Sequence, residues 1–117
     1  MNTQARWMIW VMMLQATLVY PLITLFLEPI GGSASLGLVL VGGAAVVAAV
    51  GAGLAQLRPA ALSPPARLVL PLALGEGAAV LSWAAWWFGA PPVIAYGGML
   101  LGTLAVLFCF PRADAET

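Results

Sequence analysis

Histidine and lysine are absent from this 117-residue sequence, and cysteine occurs once, at Cys109. Without histidine, a zinc or haem site would have to rest on carboxylates and amides alone, so neither a metal nor another cofactor is expected. A single cysteine excludes an internal disulfide. Charge is equally scarce, at 7% of residues, with four basic and four acidic side chains summing to zero. No basic run or patch suggests a nucleic-acid partner. Nucleophile–base pairs, metal-ligand clusters and phosphate-binding loops are also missing, so the chain is not expected to be an enzyme.

What the sequence has in abundance is apolar length. Hydrophobic residues make up 63% of it. A soluble domain this small could not hide that much apolar surface, because only part of what a short chain exposes is buried on folding. Four apolar stretches predict helices over about 7–27, 36–57, 68–88 and 93–110, followed by a short tail at 111–117. A bilayer crossing takes about 20 residues. The fold expected is therefore all-α, one membrane domain of four antiparallel transmembrane helices, with the lipid bilayer as its first partner.

The first stretch, Trp7 to Leu27, follows Arg6 and precedes Ser33-Ala34-Ser35, as a secretory signal might. Its apolar run exceeds a signal core of about 7–15 residues, so it is read as a retained helix, bent near Pro21. Glu28-Pro29-Ile30-Gly31-Gly32 closes it with a charge and turn formers. The second stretch is built of Gly, Ala and Val, with small residues four apart at Ala44, Ala48 and Ala52, and again at Ala45, Ala49 and Gly53. Such stripes let helix backbones approach closely in lipid. Gly98 and Gly102 give the fourth stretch a similar signature. The loop Arg58 to Arg67, holding Pro59, Pro64 and Pro65, reads as a short stiff connector.

Arg6, Arg58, Arg67 and Arg112 all fall in the N-terminus, the second loop or the C-terminus. Four crossings put those three regions on one side, and the positive-inside rule makes that side the cytoplasm. A bacterial inner membrane is the expected location. Trp7 and Trp10 then mark the cytoplasmic interface, and Trp83, Trp86, Trp87 and Phe88 the opposite one.

Within the third stretch stands one carboxylate, Glu76, eight residues after Leu68 and flanked by Gly75 and Gly77. At about 1.5 Å per residue it lies roughly 12 Å deep, near the middle of the hydrocarbon. Ionised and unpaired there it would cost about 3 kcal/mol, so it must be protonated, paired or facing water. Gln15 lies at the same expected depth and Thr103 close to it, so Glu76, Gln15 and Thr103 are the candidate proton or cation site. Gly51, Gly53, Ala48, Ala52, Gly98 and Gly102 are the candidate helix-packing positions.

The run Ala44 to Gln56, the loop Arg58 to Arg67, and Ala73-Leu74-Gly75-Glu76-Gly77-Ala78-Ala79-Val80 together resemble subunit c of F-type and V-type ATP synthases. That hairpin has a Gly/Ala-rich helix, a polar cytoplasmic loop and a second helix bearing a midmembrane carboxylate. The resemblance, over residues 37–88, implies that Glu76 carries an ion and that Gly51 and Gly53 pack a ring. Departures accompany it: the glycine run shrinks to Gly51-x-Gly53, the loop lacks the usual Arg-Gln-Pro or Arg-Asn-Pro, and two further helices flank the hairpin.

Two functions stay open. One is a structural or accessory subunit packing with itself as a homo-oligomer, or with a larger membrane complex. The other is proton or cation translocation through Glu76. A small-molecule exporter is less favoured, since four-helix exporters normally line their interior with more polar or aromatic residues.

Overall fold

The structure, a computed structural model, describes residues 2–109. The expected end of the fourth helix at Phe110, the tail 111–117 and the orientation signal of Arg112 lie outside the described residues. Among the described residues all regular structure is helical: α1 (Thr3–Thr24), α2 (Ala34–Leu57), α3 (Pro64–Trp87) and α4 (Pro92–Phe108).

Local chemistry explains boundaries that hydropathy alone places a few residues away. α1 begins at Thr3, not near Trp7, because the Asn2 side chain accepts the Ala5 N–H at 2.7 Å and caps the first turn. Ser33 caps α2 in the same way, accepting from Leu36 N. α3 starts at Pro64, four residues ahead of the expected start, and this corrects the reading of Pro64 and Pro65 as connector. In the first helical turn a proline loses nothing, because its missing N–H would have had no helical partner. α2 ends with Arg58 at φ 48°, a left-handed cap whose N–H bonds the Leu54 carbonyl at 3.0 Å. α1 runs on past Pro21 for one more turn, and Pro71 sits inside α3.

α1, α2 and α3 are each long and apolar enough to cross a membrane. α4, with 17 residues, is apolar but shorter, about 25 Å at the helical rise.

α3 is the central element, packed along α2 on one side and α4 on another, with α2 also touching α4. Short connectors favour contact between consecutive helices. α1 departs from this: it lies against α3 and α4 rather than chiefly against α2. The connector after α1 reaches over the end of α3, where Gly31 N–H bonds the Trp87 carbonyl at 3.2 Å. Gly31 and Gly32, at φ 87° and 131°, supply the backbone freedom for that passage.

The interior falls into three clusters. At one end Leu68, Leu72, Val106 and Cys109 pack with Ile9, Trp10, Leu14 and Ala55. In the middle Ala44, Ala48, Ala78 and Ala105 meet. At the other end Ala85, Trp86, Ala90, Ala95 and Met99 pack with Tyr20, Val41, Trp83, Trp87 and Tyr96. Trp86, expected as an interface anchor, is thus a core residue exposed by only 6%.

A polar seam around Glu76

Two kinds of contact position Glu76. The first is backbone approach between α3 and its neighbours. A Cβ on Gly102 would stand 2.6 Å from the Ala79 nitrogen and 2.8 Å from the Gly75 carbonyl. One on Gly75 would meet Val106 at 2.9 Å, and one on Gly98 would collide with Ser82. One on Gly51 would stand 3.1 Å from the Leu74 Cβ and 3.2 Å from the Pro71 carbonyl. Ala48 is buried beside it, while Ala52 is half-buried. Gly53 faces open space, with nothing within 4 Å of an added Cβ. α3 is therefore held rigidly by α2 and α4, and Glu76 is carried on that rigid part.

The second kind is side-chain hydrogen bonding from α1. Residues three or four apart share a helix face, and Thr17, Tyr20 and Thr24 form such a stripe. Thr17 is fully buried and Thr24 is 5% exposed. Tyr20 OH donates to Glu76 Oε1 at 2.6 Å. Thr24 Oγ1 donates to the Pro21 carbonyl at 2.6 Å and lies 2.5 Å from Tyr96 OH, so with its one proton spent it accepts from the tyrosine. Further along α1, Trp10 Nε1 donates to the Val106 carbonyl at 2.9 Å.

Around this seam the aromatic rings form a chain. Tyr20 lies against Trp83 with centroids 5.3 Å apart, Trp83 meets Trp87 edge-on at 5.9 Å, and Trp87 meets Trp86 at 5.0 Å. Two polar atoms within it lack partners: Glu76 Oε2 and Trp83 Nε1 are buried without a hydrogen bond. Leaving such atoms unpaired costs about 1–3 kcal/mol each.

The three residues expected to share one polar layer are placed differently. Glu76 is half-buried between α1 and α3 and is bonded to Tyr20, not to Gln15 or Thr103. Gln15 is exposed. Depth alone suggested its pairing, but at about 100° per residue it stands roughly 200° around the helix from Thr17, on the far side of α1. Thr103 is half-buried and its hydroxyl donates to the Met99 carbonyl of its own helix at 3.0 Å. Tyr20, Thr24, Tyr96 and Trp83 were not singled out as site residues from sequence. The 17–20–24 polar spacing was the available signal.

Among the described residues no group of three or more His, Cys, Asp or Glu side chains is arranged to hold a metal ion. No family model, curated protein or solved structure matches the chain.

Proposed function

We propose that the chain is a structural or accessory subunit of a membrane assembly, crossing the bilayer four times in alternating directions with both termini cytoplasmic. The up-and-down arrangement is supported by the cluster that joins the start of α1, the end of α2, the start of α3 and the end of α4. The cytoplasmic assignment, in a bacterial inner membrane, rests on the arginines and the positive-inside rule. α4 is short for a crossing, but about 17 residues lies at the lower limit for one.

The observation that carries the subunit reading is the unused face of α2. The helix has small residues on more than one side, and only Ala44, Ala48 and Gly51, with Gly37 near its start, are buried. Gly42, Gly43 and Gly53 meet nothing within 4 Å, and Val46 and Ala49 between them are exposed or nearly so. In lipid, small residues left outward permit a second backbone to approach closely, where packing drives association. A second copy, or a helix of a larger complex, fits this face.

Mass measurement of the protein released from lipid nanodiscs, with in-membrane cross-linking, tests this. The wild type is expected to form a defined oligomer or co-purify with a defined partner. Gly42→Leu with Ala49→Leu should dissolve the association without lowering the melting temperature of the chain. A wild type that is monomeric and partnerless in native membranes would sink the reading.

A second reading, proton or cation handling by Glu76, is favoured by one observation: the unpaired Oε2 in the interior. A carboxyl within a membrane segment is a functional candidate by default. It predicts that Glu76→Gln abolishes ion flux in reconstituted vesicles, whereas a purely structural Glu76 tolerates the amide, which keeps size and hydrogen bonding. The likeness to subunit c belongs to this reading. In this fold, however, Gly51 is occupied by α3 of the same chain, leaving Gly53 as the glycine open to a neighbour.

A further inference from the structure

α1 has two unlike faces. On the inner one Arg6, Thr17 and Thr24 are buried, and Trp10, Tyr20 and Thr24 bond across to α4 and α3. The opposite face carries Met8, Met12, Gln15, Val19 and Leu22, all exposed. Their alternating spacing of four and three residues is that of a heptad seam, which lets two helices pack side by side along their length. Beside the start of this seam is a shallow hollow formed by α1 residues alone, Gln4, Trp7, Met8, Val11 and Met12.

Four of the five seam residues suit lipid tails, and Gln15 does not. It stands 12 residues after Thr3 and nine before Thr24, so roughly 14 Å or more of helix separates it from either end. A side chain of three carbons cannot carry its amide that far to water, and an amide without a partner in hydrocarbon is costly. Gln15 is turned away from α3 and α4, so the group that satisfies it belongs to another molecule.

A second copy of the chain presents a matching group at that depth. Copies inserted with one topology run parallel, and in a parallel pair identical seam positions face each other across a twofold axis. Gln15 then meets Gln15 with no adjustment of level. A primary amide both donates and accepts, so it is complementary to itself, as neither a carboxylate nor an ammonium is. No charged residue lies between Arg6 and Glu28, so nothing along the seam repels its copy. One polar residue in an apolar seam also fixes a single register.

We propose that two copies of the chain pair in parallel through the outer face of α1. The two Gln15 amides hydrogen-bond to each other at midmembrane, Met8, Met12, Val19 and Leu22 pack on either side of them, and the hollow at Trp7 takes a side chain of the paired helix. This goes beyond the subunit reading, which uses α2. A twofold pair closes on itself and leaves the α2 face free for a further partner.

The test uses the full chain in two forms. With Cys109→Ala, Met12→Cys and Val19→Cys on the seam and Leu18→Cys, exposed but off it, are oxidised in native membranes. With Cys109 kept, the dimer fraction in lipid vesicles is read by single-molecule photobleaching. Disulfide-linked dimers are expected at Met12 and Val19 and not at Leu18. Gln15→Leu should weaken pairing about fivefold or more at unchanged melting temperature of the separated chain, and Gln15→Asn, which keeps an amide, should pair more tightly than Gln15→Leu. A dimer fraction indifferent to Gln15→Leu, or cross-linking at Leu18 as efficient as at Met12, overturns the proposal. The two faces fail separately. Association lost in Gly42→Leu with Ala49→Leu, beside absent α1 cross-links, removes this pairing and leaves the α2 reading. Cross-links through α1 that persist in that double variant, with no other association lost, leave this pairing and remove the α2 reading.

Discussion

The seam between α3 and α4 and the seam of α1 with α3 and α4 join helices of similar composition by opposite means. Along the first, Gly75, Gly98 and Gly102 bring backbones so close that no side chain fits between them. Along the second, aromatic and hydroxyl side chains reach across and hydrogen-bond. The first seam gains from many small dispersion contacts, which vanish together when the helices are pushed apart. The second depends on a few directional bonds, each worth about 0.6 kcal/mol on average in membranes, because an unfolded helix in lipid also finds partners. A bundle built this way has a rigid part, α2 to α4, and a fourth helix fastened at discrete points. Glu76 lies at the boundary between them.

The sharpest way to break this contrast is to fill the close seam. Gly102→Leu places a side chain against the Ala79 and Gly75 backbone, which cannot move aside. A loss of about 3 kcal/mol or more is expected, read as a collapse of the unfolding midpoint in a denaturing-detergent titration. A near-normal midpoint would mean the helices are not so closely apposed. Tyr20→Phe should cost less, about 1 kcal/mol, since it removes one bond and leaves the carboxyl unpaired. Its effect should appear as faster hydrogen exchange confined to α1, and exchange spread evenly over all four helices would refute separate fastening. Thr24→Val, which loses the Tyr96 bond but keeps the side-chain volume, should cost about 0.5 kcal/mol by the same titration. Gly53→Ala is expected to be neutral or to stabilise by up to about 1 kcal/mol, through helix propensity alone, because nothing lies within 4 Å. Destabilisation of the dissociated chain would contradict the open space there, whereas in the assembly the same change should loosen association with the proposed neighbour.

The four helices were legible because apolar length carries the signal and Gly, Pro and charge punctuate it. Their starts were less so. Pro64 and Pro65 carry the composition of a loop, yet sit where a helix tolerates proline best. Trp86 misled for a related reason. A Trp near a helix end fits a membrane interface by composition, but only the packing of α3 against α4 reveals that Trp86 lies in the core. Glu76 was legible as the one carboxylate within an apolar stretch. Its partner was not, since matching depth selects a level and leaves the angle around the helix undetermined. Gln15 shares the expected level, but Tyr20 lies on the face that turns toward α3. Which helix α1 packs against also escaped the sequence, because its connector is long enough to reach past α2.

The measurement that bears most directly on the account is a double-mutant cycle between Tyr20 and Glu76. Unfolding free energies in lipid-like micelles would be compared for Tyr20→Phe, Glu76→Leu and the pair. The account predicts that the double variant loses less than the sum of the two singles, by about 0.6–1.5 kcal/mol, because either substitution alone strands a buried partner. Additivity within about 0.3 kcal/mol would mean that the two side chains do not interact, and α1 would not be fastened through Glu76.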